Sequence, residues 1–275
     1  MTTTTRLRPS KGWVGLDVPE IVRFRHLLAA FAERDVKLRY RQTILGALWV
    51  VIQPLFAAGI FSFVFGVVAG MDTSSGQPYF IFSFAGLLAW NIFASTLTRT
   101  ASCMVGNTNI VTKVYFPRLI LPLSTIASTL VDFVVPAVVL AAILPFAGIP
   151  IGWPALLVPL WVILVLVLAL GVGLFAAALT IDYRDVQYLL PLLVPFLLYG
   201  SPVAWEVSRV PERYQLWYHV LNPLSSLIDG FRWSLIGTAP PAWPFVAYAV
   251  VVSAVVFVLG AAVFRRAERR VADVI

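Results

Sequence analysis

Residues 133–181 contain no charged side chain. A single helix of this length, rising about 1.5 Å per residue, would be more than twice as long as the hydrocarbon core of a bilayer, which is about 30 Å thick. Two membrane spans joined by a turn at residues 145–152 explain the run. The whole chain is 60% hydrophobic and only 12% charged, whereas soluble domains carry about 25% charged residues. These properties predict an all-α integral membrane protein.

Six apolar segments can be assigned as transmembrane helices. They cover approximately residues 46–69, 79–97, 121–143, 154–180, 186–199 and 243–264. The fifth continues towards Trp205 and contains three prolines, which predict a broken or kinked helix whose freed carbonyls need protein or water partners. These prolines are Pro191, Pro195 and Pro202.

Two segments outside the spans mix apolar and charged residues. Residues 17–40 alternate at helical spacing, which favours an N-terminal amphipathic helix lying in the headgroup plane. A solvated helix packed against its own domain is the alternative. Residues 206–241 are too polar for an ordinary span and too apolar for a solvated loop. We expect two short re-entrant helices there, in the outer leaflet before the last span, with their turn at Asn222 and Pro223.

The basic residues indicate the orientation of the chain. All but Arg209, Arg213 and Arg232 of the 20 basic residues fall in segments that this layout places inside. Such asymmetry predicts that both termini are cytoplasmic. It also argues against a nucleic-acid partner, although the net charge is +7. The expected domains are a cytoplasmic N-terminus with the amphipathic helix (1–42), a six-span domain (43–264) and a basic cytoplasmic tail (265–275).

No catalytic, cofactor or metal site is predicted on this chain. None of Lys11, Lys37 and Lys113 follows a glycine, so the Gly-Lys-Ser/Thr signature of a phosphate-binding loop is absent from the sequence. The single cysteine, Cys103, excludes a disulfide within the chain and a cysteine metal site.

Four strings of the sequence resemble one protein family. They are KLRYRQTILGALWVVIQPL entering the first span, KVYFPRLILPLS after the second, DYRDVQYLLPLLVPFLLYGSPVAW around the fifth and NPLSSLIDGFRWSLIG before the sixth. Together they resemble the permease subunit of the bacterial ABC exporters of lipid-linked polysaccharides, the type-2 ABC permeases. The resemblance extends over about residues 20–265.

The resemblance implies a function and an assembly. The chain would be the permease of an exporter that moves an O-antigen-type glycan, carried on a lipid such as undecaprenyl diphosphate, across the bacterial cytoplasmic (inner) membrane. Its partners would be a second copy of itself and two cytoplasmic ABC ATPase subunits, which would bind ATP and magnesium. Permeases for teichoic acid, capsular glycan, a drug or another lipid are the alternatives within this class.

The same resemblance implies that two inner segments contact the ATPase. The first contains Lys113, Tyr115, Phe116, Pro117 and Arg118, and the second contains Asp182, Arg184 and Asp185. Ordinary solvated loop charge is the alternative interpretation of both segments.

Cationic and aromatic side chains are candidates for contacts with the transported molecule. Because arginine can bind phosphate bidentately, Arg34, Lys37, Arg39 and Arg41 are candidates for binding a diphosphate head group. An orientation signal alone would explain the same residues. Aromatic residues of the first and fifth spans are candidates for lining a channel: Trp49, Phe56, Phe63, Phe196, Tyr199 and Trp205. Lipid-facing or core packing is the alternative.

Asp132 is an ionisable residue within the third span, about 18 Å from its start. A carboxyl group at this depth rarely faces lipid, so we expect it to hydrogen-bond or pair inside the bundle in a structural role.

A membrane enzyme, such as a glycan ligase or acyltransferase, is an alternative from another class. Its acid and base would come from Glu206, Glu212, Asp229 and His219. The arginines of the same segment suggest internal salt bridges instead.

Overall fold

The computed structural model describes residues 18–40, 48–111, 113–114, 116–183 and 185–268. Within these ranges the chain is helical and contains no β-strand. The helices are α1 (Val18–Arg23), α2 (Arg25–Tyr40), α3 (Leu48–Phe61), α4 (Tyr79–Gly106), α5 (Thr108–Val111), α6 (Ile120–Ile143), α7 (Val158–Asp182), α8 (Val186–Gly200), α9 (Glu212–Leu221), α10 (Leu224–Ile236) and α11 (Trp243–Glu268). Helix α3 continues as a π-helix over Ser62–Val68.

Five described helical segments are long and apolar enough to cross a membrane. They are Leu48–Val68, Tyr79–Gly106, Ile120–Ala147, Trp153–Asp182 and Trp243–Glu268. Helix α8 has 15 residues and measures about 22 Å, which is shorter than the hydrocarbon core. The predicted continuation of this helix towards Trp205 is wrong, because α8 ends at Gly200.

The buried apolar residues form two clusters at opposite ends of the bundle. The cluster at the "α2 end" joins Phe31 of α2 to the last turns of α4, α7 and α11 and the first turn of α6. The cluster towards the "α10 end" joins α10 to the first turns of α4, α7 and α11 and the last turn of α6. Helices α4, α7 and α11 therefore run from the α10 end to the α2 end, and α6 runs the opposite way.

Helix α7 is the central helix of the bundle, and glycines bring its neighbours close. An added Cβ at Gly171 would lie 2.6 Å from the backbone nitrogen of Phe257 in α11, and one at Gly260 would overlap the carbonyl oxygen of Gly171. On another side of α7, an added Cβ at Gly173 would lie 2.7 Å from the Cβ of Thr100 in α4. Small residues of this kind allow the backbones of membrane helices to pack directly.

At and after Gly200, where α8 ends, side chains from other elements donate hydrogen bonds to the free backbone carbonyls. The carbonyl of Gly200 accepts a hydrogen bond from the Tyr218 hydroxyl at 2.8 Å, and the carbonyl of Ala204 accepts one from the Tyr79 hydroxyl. Non-helical backbone at membrane depth is tolerated where protein supplies such partners. The expected protein partners of free carbonyls are therefore present after Gly200, whereas α8 itself continues as one helix through Pro191 and Pro195.

Arg232 of α10 fixes the same interrupted segment. Its guanidinium donates to the carbonyl of Pro202 at 2.6 Å, to that of Val203, and to that of Phe82 in α4 at 3.2 Å. Only 1% of this residue is exposed. Arg232 also forms an ion pair with Asp229, one helical turn earlier, at 3.9 Å. This pair agrees with the internal salt bridges expected for the segment, and backbone carbonyls supply the hydrogen bonds of the guanidinium.

Candidate functional site

Asp132 lies at the junction of α2, α4 and α6. Its carboxylate accepts a hydrogen bond from the Tyr40 hydroxyl at 2.6 Å, pairs with Arg39 at 2.9 Å and pairs with Arg99. Arg99 also donates to the Ser128 hydroxyl at 2.6 Å. The Asp132 side chain is only 10% exposed. The expectation that this carboxyl pairs inside the bundle agrees with its three partners, which lie far away in the sequence.

The Tyr40 hydroxyl acts as a donor in this cluster. Burial of Tyr40, together with its hydrogen bond to Asp132, raises the pKa of the phenol to about 12. The hydroxyl therefore stays protonated at physiological pH and can donate to the carboxylate. This contact joins the end of α2 to the middle of α6.

Arg39 and Arg99 line two cavities, one on each side of the cluster. The first, of about 390 Å³, lies between α2, α4 and α6 and includes Asp35 and Ser102. The second, of about 460 Å³, lies between α3, α4 and α8. Side chains shared by two cavities can separate or connect them, depending on which way they turn. The Asp132 cluster therefore occupies the boundary between two open cavities of the bundle.

Three of the head-group candidates already have partners on the protein. Arg34 pairs with Asp35 at 2.8 Å and donates to the Asn107 side chain at 2.7 Å. Lys37 pairs with Glu33 one helical turn away at 2.5 Å. Its hydrogen bond and positive charge lower the pKa of Glu33.

The third, Arg39, belongs to the Asp132 cluster described above, and its side chain is 42% exposed. Arg41 lies outside the described residues. Of the described candidates, Arg39 is the one that lines both cavities, and part of its side chain stays exposed although it pairs with Asp132.

The first expected coupling segment has an exposed part and a buried part. Lys113 is exposed. Phe116 is buried and packs against Phe31 of α2, with 5.5 Å between the ring centroids. Arg118 donates to the carbonyl of Glu268, at the end of α11. Phe116 and Arg118 are therefore held by other elements of this chain, whereas Lys113 and its exposed neighbour are accessible at the α2 end.

The accessible neighbour of Lys113 is Val114, which is half-exposed. Pro117 is partly buried, and Tyr115 lies outside the described residues. The second expected coupling segment follows α7 at the same end of the bundle. Asp182 and Asp185 are exposed, whereas Arg184 is outside the described residues.

Most of the expected channel-lining side chains are exposed on the isolated chain. These are Trp49 and Phe56 on α3, Phe63 on the π-helix that continues it, and Phe196 and Tyr199 on α8. Trp205 differs from them, because it follows α8 and packs against Tyr218 with ring centroids 5.4 Å apart. Helix α8 contains no buried residue, so its surroundings must come from lipid, from a further chain or from the molecule that is transported.

The polar residues at the α10 end do not form a nucleophilic site. Glu206, His219 and Asp229 do line one cavity of about 280 Å³, and Nδ1 of His219 is 3.0 Å from the Ser225 hydroxyl. However, this serine is fully buried and donates to the carbonyl of Asn222 at 2.7 Å. His219 and Ser225 therefore complete the turn between α9 and α10, and the hydroxyl is closed to a substrate.

Sequence reasoning missed several polar residues of the two cavities. Arg99 lies just beyond the predicted end of the second span at residue 97, yet in the structure it is within α4 and binds Asp132. Gln53 and Asn91 line the second cavity together with Arg99. An amide inside a predicted span is the signal that could have identified them, because lipid does not satisfy its hydrogen-bonding groups.

Comparison with known proteins identifies related sequences over most of this chain. The profile of the ABC-2 type transporter family matches residues 26–236. The O-antigen export system permease protein RfbA of Klebsiella pneumoniae is 27% identical over 251 residues, covering 90% of this chain and 95% of the relative. The protein of the same name from Myxococcus xanthus is 28% identical over 216 residues, covering 78% and 82%.

A relative with a different printed name is also similar. The polysialic acid transport protein KpsM of Escherichia coli is 25% identical over 246 residues, covering 86% of this chain and 91% of the relative. The region matched by the family profile contains both cavities, Asp132 and Arg232.

Proposed function

This chain belongs to the ABC-2 type transporter family, and we propose that it is the permease subunit of a bacterial polysaccharide exporter. It is a multi-pass protein of the cytoplasmic membrane and a transport subunit rather than an enzyme. The similarity to relatives named for O-antigen export, which extends over most of both chains, is the observation that carries the proposal. An O-antigen-type glycan on a lipid diphosphate carrier is the proposed substrate. Capsular or teichoic-acid glycan is the alternative.

The proposed orientation places the α2 end in the cytoplasm. Helix α8 and the segment after it together make the fifth crossing in chain order, and Arg232, Tyr79 and Tyr218 supply the hydrogen bonds that this interrupted crossing needs. Helices α9 and α10 form the re-entrant pair at the outer face. Both termini are then cytoplasmic, as the distribution of basic residues predicts.

Family membership implies an ABC ATPase as partner. The proposed complex contains two copies of this chain and two ATPase subunits, and the ATPase subunits bind the ATP and magnesium. The accessible residues at the α2 end are the proposed contact, above all Lys113 and Val114 of the first coupling segment. Phe116 and Arg118 act by holding that segment against α2 and α11.

Purification of the tagged full chain in mild detergent tests this proposal. We expect a second protein with an ATP-binding cassette to accompany it in equal amount. Lys113→Glu should weaken this association at least severalfold, because it reverses a charge at the proposed contact. The matched control is Arg213→Glu, which reverses an exposed charge on α9 at the opposite end. A folded chain that copurifies with no ATPase contradicts the proposal.

A further inference from the structure

Two primary amides face the same open cavity on the side of the bundle where α3, α4 and α8 meet. Gln53 of α3 and Asn91 of α4 both line the cavity of about 460 Å³, and both side chains are exposed. Within the described part of the chain, neither side chain forms a hydrogen bond. Leaving an amide unpaired in an apolar medium is strongly unfavourable. These amides therefore face something that can exchange hydrogen bonds with them.

The charged residues that line this cavity are both cations. Arg39 and Arg99 contribute to its wall, and none of the lining residues is acidic. Their common partner Asp132 carries one negative charge against two positive charges. A positive excess inside a membrane bundle is unfavourable unless an anion compensates it. The cavity therefore favours an anionic occupant.

Helix α4 carries a hydrophilic stripe that connects the two cavities. Asn91, Ser95, Thr98 and Ser102 recur three or four positions apart and so share one face of the helix. The first three line the larger cavity and Ser102 lines the smaller one. The stripe extends about 16 Å along the helix. It provides a polar surface from the α2 end to the middle of the bundle.

The chemistry of the lining residues defines the class of ligand. Arginine binds the oxygens of phosphate in a bidentate fashion. Primary amides both donate and accept hydrogen bonds and so match hydroxyl groups, which do the same. The volume lies within the usual range of about 300–1,000 Å³ for small-molecule sites. A phosphate attached to a hydroxyl-rich group satisfies both requirements at once.

We infer that the cavity between α3, α4 and α8 is a binding site for a sugar phosphate, with Arg39 and Arg99 on the phosphate and Gln53 and Asn91 on the hydroxyls. This inference rests on the proposed export of a lipid-linked glycan, because that substrate joins a phosphate to a sugar. The α4 stripe then provides the route by which this polar group enters from the α2 end.

Equilibrium dialysis of the full chain in phosphatidylcholine nanodiscs tests the site. Radiolabelled glucose 1-phosphate is the probe, and unlabelled glucose and inorganic phosphate are the competitors. We expect glucose 1-phosphate to bind and each of the two competitors to bind more weakly. Gln53→Leu and Asn91→Leu should each weaken probe binding about tenfold, the effect of losing one or two good hydrogen bonds. The matched control is Gln215→Leu, which removes an amide on α9 outside the cavity.

A second arm separates two sources of the phosphate. Nanodiscs that also contain phosphatidic acid present a lipid phosphate without a sugar. If a phospholipid headgroup is the natural occupant, this lipid will displace the probe, and Asn91→Leu will leave the displacement intact because the lipid offers no sugar hydroxyls. That result would overturn the assignment to a sugar phosphate. Probe binding that persists in these nanodiscs supports it.

Two further outcomes would overturn the inference. The first is no binding of the probe to folded wild-type protein. The second is unchanged probe binding in Gln53→Leu and Asn91→Leu together with a shift from dimer to monomer, because the amides would then pair with a second copy. Neither outcome depends on the ATPase. A chain that binds the probe but copurifies with no ATPase contradicts the proposed function alone. A chain that copurifies with an ATPase but does not bind the probe contradicts the site alone.

Discussion

Arg232 at the α10 end and Arg99 towards the α2 end are both held inside the bundle, but their partners differ. Arg232 is almost completely buried and donates to backbone carbonyls of Phe82, Pro202 and Val203. Arg99 binds the side chains of Asp132 and Ser128 and borders two cavities. Backbone carbonyls cannot move without moving the main chain, whereas side chains next to open space can turn.

The different partners indicate different roles, with Arg232 important for folding and the Asp132 cluster important for transport. The Arg232 contacts close the interrupted segment after α8, and the guanidinium is tightly packed on the side of Gly86, where an added Cβ would overlap it. Its other side borders the cavity of about 280 Å³ at the α10 end. The Asp132 cluster has space on both sides and a partner, Arg39, that is 42% exposed. We therefore expect substitutions at the first cluster to affect folding and substitutions at the second to affect mainly transport.

The largest effect is expected for Arg232→Met. This change removes the donors from three buried carbonyls, so the free energy of unfolding should fall by about 3–5 kcal/mol or the protein should fail to fold. Size-exclusion chromatography of the detergent-solubilised protein, followed by thermal unfolding, measures this. Arg213→Met, on the exposed face of α9, is the control. An Arg232→Met protein that elutes as a single species and has wild-type stability would contradict the role of Arg232 in folding.

Gly86→Ala tests the packing around the same guanidinium with one methyl group. The new Cβ would overlap Arg232 and lie 2.8 Å from the Val203 carbonyl oxygen. We expect a loss of about 1–3 kcal/mol in the free energy of unfolding, as for other overpacked positions. Gly200→Ala is the matched control, because nothing lies within 4 Å of its added Cβ. Equal thermal midpoints for the two variants would contradict the close packing.

Asp132→Asn should have a smaller effect on stability. The variant removes the carboxylate charge, but Arg39 and Arg99 can turn towards the cavities, so we expect a loss of about 1 kcal/mol. Transport should fall more strongly, because the arginines would no longer be held between the cavities. A double-mutant cycle with Arg39→Gln measures the pairing directly. Additive effects of the two changes would show that the ion pair contributes nothing.

Glu33→Gln should have the smallest effect. The pKa of Glu33 is lowered by the hydrogen bond and charge of Lys37, so any stabilisation from this pair is present at neutral pH and declines as the pH falls through that lowered pKa. Because both side chains are exposed, solvent screens the pair. We expect variant and wild type to have equal thermal midpoints at neutral and acidic pH. A loss at neutral pH comparable to that of Asp132→Asn would contradict this.

Local sequence patterns predicted most of the helices. The predicted starts at Tyr79 and Trp243 agree with α4 and α11, and the turn at Asn222 and Pro223 lies between α9 and α10. Hydrophobic periodicity, turn residues and charge are local signals, which explains this agreement. The same signals placed the end of the second span too early, at residue 97, because a charged residue such as Arg99 normally ends an apolar segment, whereas here it is paired inside α4.

The contacts that define the two clusters could not be predicted in this way. Asp132 meets Tyr40 and Arg99 across large sequence separations, and a single sequence carries no signal for such pairing. The carbonyl partners of Arg232 were also hidden, because any residue can supply a carbonyl. The depth of Asp132 showed that it needed partners, and only the packing of α2 and α4 against α6 identified them.

The most direct test of the proposed function is to delete this chain in its host and measure where the lipid-linked glycan accumulates. If the chain is the export permease, surface polysaccharide should disappear while the lipid-linked form accumulates on the cytoplasmic face, and re-expression of the wild-type chain should restore the surface polymer. Undiminished surface polysaccharide, with no accumulation inside, would contradict the account.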